Sequence, residues 1–326
     1  VATALITGIT GQDGSYLAER LVAEGVDVHG LVRDEPERVL LSDRAGVTPH
    51  LGDLSDTGRV AQIVQEVRPD EIYNLGGISS VGFSWDEPVL TGLVSGLGAV
   101  GVFEAARRLQ DETGQQVRVV QASSAEIFGT PDRTPQDEQT AIRPVSPYGA
   151  AKAYAHTSAA VYRSRGVHVA TCVLYNHESP RRPETFVTRK ITAAAARIAR
   201  DGGGVLAMGN LEPRRDWGWA PDYVDAMVRA VRHPEADDFV VATGVTHSVG
   251  DFVRAAFARA GIDDWQAHVE LDPRFVRPAD AAVQVGDAGK AQRVLGWSTS
   301  VAFDELVGRM VDHDLELLTA HPDSSR

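Results

Sequence analysis

In Thr3-Ala4-Leu5-Ile6-Thr7-Gly8-Ile9-Thr10-Gly11-Gln12-Asp13-Gly14, a short apolar strand (Thr3–Thr7) runs into three glycines spaced three apart, and a helical pattern follows through Ala23. Glycines at such a turn let the backbone approach a pyrophosphate. The helix start adds free N–H groups and the positive end of its dipole. Gly8, Thr10, Gly11, Gln12, Asp13 and Gly14 are therefore the candidate phosphate-binding residues. An ordinary tight turn accounts for glycines as well, but less readily between a strand and a helix.

Strand and helix patterns then alternate. The second strand, Val26–Val32, ends at Arg33, where an arginine suits the 2′-phosphate of NADP and an acid suits the ribose of NAD. Asp34 and Glu35 follow directly and keep the acid reading open. Arg38 is either a second phosphate contact or a solvated loop charge. Gly52-Asp53-Leu54 closes a third strand, where a carboxylate can meet the adenine amine. Helix Asp56–Val67 leads to strand Glu71–Leu75 and the turn Gly76-Gly77, so Leu54, Leu75, Gly76 and Gly77 border the same ligand. Helix Thr91–Leu109 and strand Val117–Val120 continue the series. Repeated units of this length predict an α/β fold, a doubly wound parallel sheet of Rossmann type covered on both faces.

Two short signals carry the chemistry: Gln121-Ala122-Ser123-Ser124-Ala125-Glu126 at a strand end, and Ser146-Pro147-Tyr148-Gly149-Ala150-Ala151-Lys152 at a helix start. Residues four apart lie on one helix face, which brings the Lys152 ammonium near the Tyr148 phenol. A free tyrosine titrates near ~10, and a neighbouring cation favours the phenolate. With the Ser124 hydroxyl, this is a device for moving a proton on or off a carbinol oxygen while a hydride leaves or arrives at its carbon. Glu126 is a further acid at that strand end.

Beyond Lys152 the helix runs to Arg165, and strand Val167–Leu174 ends at Tyr175-Asn176-His177-Glu178, polar groups that face a ligand crevice. Ser179–Glu184 reads as a proline-rich loop and Arg214–Trp219 as a polar loop, with Trp217 and Trp219 packing beneath it. Helices are expected at Val187–Asp201, Asp222–Arg232, Asp251–Ala260, Ala288–Leu295 and Phe303–Leu318, and a frayed tail at Ala320–Arg326. This divides 326 residues into a mainly cofactor-binding part (1–175) and a smaller, interleaved substrate lobe (176–326).

A hydrophobic content of 43% supports a substantial core, and no run of eighteen uninterrupted apolar residues or secretory leader is seen, so no membrane is expected. The single Cys172 excludes a disulfide framework and suits a reducing cytoplasm. A net charge of −13 argues against nucleic acid as a partner, so a phosphate-bearing ligand needs a local cluster of arginines.

Ala4–Leu17, Asn176-His177-Glu178-Ser179-Pro180, Phe186-Val187-Thr188-Arg189-Lys190 and Arg215-Asp216-Trp217-Gly218 are more specific than any glycine pattern. On these motifs the chain resembles the extended short-chain dehydrogenase/reductase superfamily, and within it the GDP-mannose 4,6-dehydratases, over almost its whole length. The same motifs match sister reductases that turn GDP-4-keto-6-deoxymannose into GDP-rhamnose. The resemblance implies NADP as cofactor, with His177 among its contacts, and a GDP-sugar as substrate. It implies that Tyr148, Lys152 and Ser124 oxidise the hexose at C4, and that Glu126 removes the C5 proton. The C6 hydroxyl then leaves, and the stored hydride returns to C6. It further places Val187 and Lys190 at the guanine, Arg215 on the diphosphate, and Arg277 with Asp280 at the ribose. Ser79, Asn176 and Glu178 fall to the hexose. Ala125 stands where the family usually carries a hydroxyl, and the segment 33–53 is shorter than in typical members, which implies a homodimer. A catalytically silent nucleotide sensor is the other class, and the intact Ser124, Glu126, Tyr148 and Lys152 argue against it.

Overall fold

The computed structural model describes residues 1–42, 46–275 and 282–320; of the expected frayed tail Ala320–Arg326, Ala320 closes the last helix and 321–326 lie outside the described residues. Its strands are β1 (Thr3–Thr7), β2 (Asp27–Val32), β3 (Val47–Leu51), β4 (Glu71–Asn74), β5 (Arg118–Ser124), β6 (His168–Leu174), β7 (Asn176–Glu178), β8 (Leu206–Met208), β9 (Arg214–Trp219), β10 (Asp238–Val241), β11 (Thr246–Ser248), β12 (Val269–Leu271) and β13 (Val283–Gln284). The helices are α1 (Gln12–Ala23), α2 (Glu35–Ser42), α3 (Thr57–Val67), α4 (Val81–Asp86), α5 (Pro88–Thr91), α6 (Gly98–Thr113), α7 (Pro147–Arg163), α8 (Val187–Asp201), α9 (Ala220–Arg232), α10 (Val249–Arg259), α11 (Gly289–Leu295) and α12 (Phe303–Ala320).

Seven strands make one parallel sheet in the order β10-β6-β5-β4-β1-β2-β3. Successive β1 residues feed opposite faces. Ala4 and Ile6 pack with α1 and α9 residues such as Leu17 and Met227. Leu5 packs with α3 and α6 residues such as Ile63 and Phe103. Burial on both faces explains why these strands read as continuous apolar runs rather than alternating ones. Cys172 is buried within β6, as expected of a packing residue.

Several expectations shift. The helix expected from Thr91 begins at Pro88 and contains a π-helical stretch, Gly92–Leu97, packed on α7. The run Pro88–Thr113 is long and apolar enough to cross a bilayer by length and composition alone, and half of its most apolar eighteen-residue window is buried within the fold. Arg38 sits on α2 and pairs with Glu35, rather than lying in a loop.

The largest correction is Arg214–Trp219, whose charge and glycine suggest a loop. It forms β9, the central strand of a small sheet, paired with β11 and β13 and, through Asn176↔Trp217, with β7. Tertiary pairing overrides its weak local preference. Trp217 packs edge-on against Phe252 and beside Phe303 in the apolar cluster of the smaller lobe. That lobe returns to the main sheet through α9 and β10, which stands beside β6.

Candidate active site

The carboxyl ends of β1, β2, β3 and β4 open on a cavity of about 430 Å³. Gly8, Thr10, Gly11, Gln12, Asp13 and Gly14 form its floor, Arg33, Asp53 and Leu54 one end, and Leu75, Gly76, Gly77 and Ser79 the other. Gly8 has φ +68°, and a Cβ there would stand 2.8 Å from Gly76 Cα; one on Gly14 would stand 2.3 Å from the Gly8 carbonyl oxygen. This close backbone cradle at the start of α1 suits a dinucleotide diphosphate, and the cavity size suits such a ligand. Arg33 is 70% exposed and ion-pairs with Glu37 at 2.6 Å. Glu37 also lines the cavity, an acid that only its place on α2 reveals.

A buried polar ladder crosses the strand ends. Gly76 N donates to Thr7 Oγ1 (2.9 Å), Thr7 Oγ1 donates to Asn74 (2.7 Å), and Asn74 donates to Gln121 (2.6 Å). Gln121 and Lys152 both donate to the Ala122 carbonyl, at 2.9 Å each. The ladder fixes Lys152 to the sheet, beneath the Gly76-Gly77 turn.

Ser146 caps α7 by accepting from Gly149 N, with Pro147 at the first helical position, and Ser84 accepts from Tyr148 N at 3.1 Å. These contacts bring together the expected quartet. Ser124 stands beside the Tyr148 phenol, and its hydroxyl accepts from Glu126 N (3.2 Å) and so caps the short 3₁₀ turn Ala125–Ile127. Gln284, on β13, donates to Glu126 Oε1 at 3.0 Å. The methyl of Ala125 packs in the main apolar cluster.

The electrostatic expectation is not met in this form. Burial pushes Tyr148 up to about 12, outweighing the lowering influence of the Ser124 hydroxyl, and the negative Glu126 adds to the rise. Burial also pushes Lys152 down to about 8. The ammonium lies 5.9 Å from the phenol ring centre, directed at the Ala122 carbonyl. Helical spacing brings the pair near; desolvation, not their mutual attraction, dominates both titrations.

On the other wall, Asn176 is partly exposed on β7, whereas Glu178 is buried, accepting from Thr188 Oγ1 at 2.7 Å and pairing with Arg182 at 3.1 Å. Arg182 stacks on Phe186 and lines the cavity, and Arg181 stacks on Tyr16. Val187 opens α8, and Lys190 on that helix donates to the Ala207 carbonyl at 2.6 Å and lies over Phe275. Arg215 is buried on β9. Arg277 and Asp280 fall outside the described residues. Gln284 and Glu37 had no distinguishing local signal, since each gains its role from a fold-level neighbour.

A glycine cradle on a parallel sheet, with a serine, a tyrosine and a lysine converging at one strand end, defines an extended short-chain dehydrogenase/reductase. Residues 5–310 match the family model described as GDP-mannose 4,6 dehydratase, and the chain belongs to that family. GDP-mannose 4,6 dehydratase 1 of Arabidopsis thaliana is 43% identical over 96% of this chain and 90% of its own length. The GDP-mannose 4,6-dehydratase of Vibrio cholerae is 39% identical over 98% and 95%. Among solved structures, the UDP-glucose 4-epimerase of Thermus thermophilus, in complex with NAD, superposes with a TM-score of 0.83 at 27% identity, covering 96% of this chain and 98% of its own.

Proposed function

We propose that this chain dehydrates GDP-mannose to GDP-4-keto-6-deoxymannose. The observation that carries this reading is Glu126, an acid beside Ser124 and Tyr148, held from across the cleft by Gln284, in a chain of the dehydratase family. Simple carbonyl reduction needs no acid there.

The cleft floor fits a nicotinamide dinucleotide, with Gly8–Gly14 for its diphosphate and Gly76-Gly77 beside its reactive end. When bound, that cofactor supplies the hydride acceptor at C4 and the hydride donor at C6. Tyr148 takes the C4 hydroxyl proton in its phenolate form, and Ser124 steadies the same oxygen. Lys152, held at the Ala122 carbonyl, provides the local positive charge. Glu126 then removes the C5 proton, which the adjacent ketone acidifies. Once protonated, Glu126 is placed to hand a proton to the departing C6 hydroxyl, a task the Ala125 methyl cannot perform. Arg33 at the cleft end favours NADP over NAD as the cofactor.

The state of assembly we infer is a homodimer. Val89, Leu93 and Leu97 recur four apart on one helical face and are 75%, 39% and 48% exposed; Tyr154 and Val161 on α7 add 47% and 60%. An apolar strip of this kind marks an interaction surface, and a second copy of the same helices is the occupant proposed. A reducing, cytoplasmic setting fits the single buried Cys172. Incubation of the pure protein with GDP-mannose and no added NADPH, followed by mass analysis, tests the function: a product lighter by one water is expected. An unchanged sugar, with NADPH consumed only when the 4-keto-6-deoxy sugar is supplied, overturns it in favour of a reductase.

A further inference from the structure

Gln12 and Asp13 stand in the glycine turn, yet their side chains bond to the opposite wall. Gln12 Nε2 donates to the His177 carbonyl at 3.0 Å, and Ser179 Oγ donates to Gln12 Oε1 at 2.8 Å. His177 is 8% exposed and stacks on Tyr223, ring centres 4.6 Å apart. Its Nδ1 lies 2.7 Å from the Tyr175 carbonyl oxygen and its Nε2 2.8 Å from Asp13 Oδ2. A carbonyl and a carboxylate oxygen only accept, so each contact needs a proton on the ring nitrogen, and two ring protons make an imidazolium.

We propose that Asp13 and His177 form a buried carboxylate–imidazolium couple that pins the first turn of α1 to β7 and cancels the charge of Asp13 beside the diphosphate cradle, so that cofactor binding and nucleotide-sugar binding reinforce each other. Both are positioning residues; the ligands invoked rest on the dehydratase reading above. Asp13 sits at the helix end where a diphosphate binds, and a bare carboxylate there repels it. Burial opposes both charges, yet His177 holds Asp13 below the ordinary carboxylate value and Asp13 holds His177 above the ordinary imidazole value. The pinned strand carries Asn176 and Glu178, and Glu178 in turn holds Arg182 by an ion pair and Thr188 by a hydrogen bond, so a shift of α1 reaches the sugar wall through one connected polar path.

Two measurements test the couple. Nitrogen-15 spectra of the histidine side chains, assigned with His177→Gln and Asp13→Asn, should show His177 doubly protonated at about pH 7.5, where an ordinary imidazole of pKa ~6.5 is mostly neutral. A neutral His177 in the wild type overturns the imidazolium. Calorimetric titration of GDP should give at least about fivefold tighter binding when NADP⁺ is saturating, the lower end of ordinary coupling between sites. Asp13→Asn and Ser179→Ala should each reduce that factor, Asp13→Asn to near unity. Coupling that is absent in the wild type, or unchanged in both variants, overturns the pinning role. If the wild type binds neither NADP⁺ nor GDP, the dehydratase reading fails, while the ligand-free spectra still decide the charge state of His177.

Discussion

The two walls of the cleft are built differently. The cofactor wall comes from consecutive strand–turn–helix units, and its contacts are backbone approaches within β1, the glycine turn, α1 and the Gly76-Gly77 turn. The sugar wall gathers β7, the α8 start, β9 and β13 from segments far apart in the chain, and its key groups are side chains held by other side chains. A wall of backbone tolerates almost no added atom, whereas a wall of side chains fails by losing aim. Substitutions on the two sides should therefore differ in kind: changes in the backbone cradle of the cofactor wall cost stability and cofactor affinity together, and sugar-wall changes cost turnover with the fold intact.

At the junction of the walls the effects are largest. Glu126→Gln keeps shape and the Gln284 neighbour but removes the C5 base, and a rate loss of ~10²–10⁴ is expected. The oxidised, still hydroxylated hexose should accumulate, and solvent deuterium should not enter C5. Tyr148→Phe should show neither reduced cofactor nor exchange. Dehydration by Glu126→Gln at the wild-type rate would falsify the lyase mechanism.

Next comes the cofactor wall itself. In Gly14→Ala the new methyl meets the Gly8 carbonyl oxygen at 2.3 Å, and overpacking of this kind costs about 1–3 kcal/mol. Its melting temperature and NADP⁺ affinity should fall together; loss of neither would show the turn to be looser than its geometry.

On the sugar wall, Gln284→Ala leaves Glu126 in place but unaimed. Turnover should fall ~10-fold with little change in KM or melting temperature, since misplacement of a reacting group is expensive. A drop in stability without a drop in kcat would make Gln284 a structural residue only.

Lys152 gives a pH test of the same division. Its folded-state value of about 8 is below its ordinary 10.5, so between these values the unfolded chain binds more protons than the folded one. Its burial penalty is complete below about pH 8 and vanishes as pH rises past 10.5. Lys152→Met should therefore be inactive yet melt higher than wild type at pH 7, with the gap closing as pH rises through that window. A gap that stays constant with pH would show that packing, not charge burial, sets the difference.

The smallest effect is expected at Arg33, whose exposed pair with Glu37 contributes little to stability. Arg33→Ala should leave the melting temperature nearly unchanged and weaken NADP(H) binding while sparing NAD(H). Equal loss for both cofactors would remove the 2′-phosphate from the assignment.

By itself the sequence determined the parallel sheet, the glycine cradle and the grouping of Ser124, Tyr148 and Lys152. Each rests on short-range pattern: three glycines between one strand and one helix, Ser124 at a strand end, Tyr148 and Lys152 one helical turn apart; the role expected of Glu126 came from the family resemblance. Only the tertiary structure decided that Arg214–Trp219 is a strand, because its neighbours β7, β11 and β13 supply the pairing that its charged composition does not predict. It alone placed Gln284 on Glu126, 158 residues away, and turned the side chains of Gln12 and Asp13 from the cofactor to the opposite wall. It also decided the titration of Tyr148 and Lys152, because desolvation depends on what surrounds a group in space, and residue spacing along a helix reports only which groups are near one another.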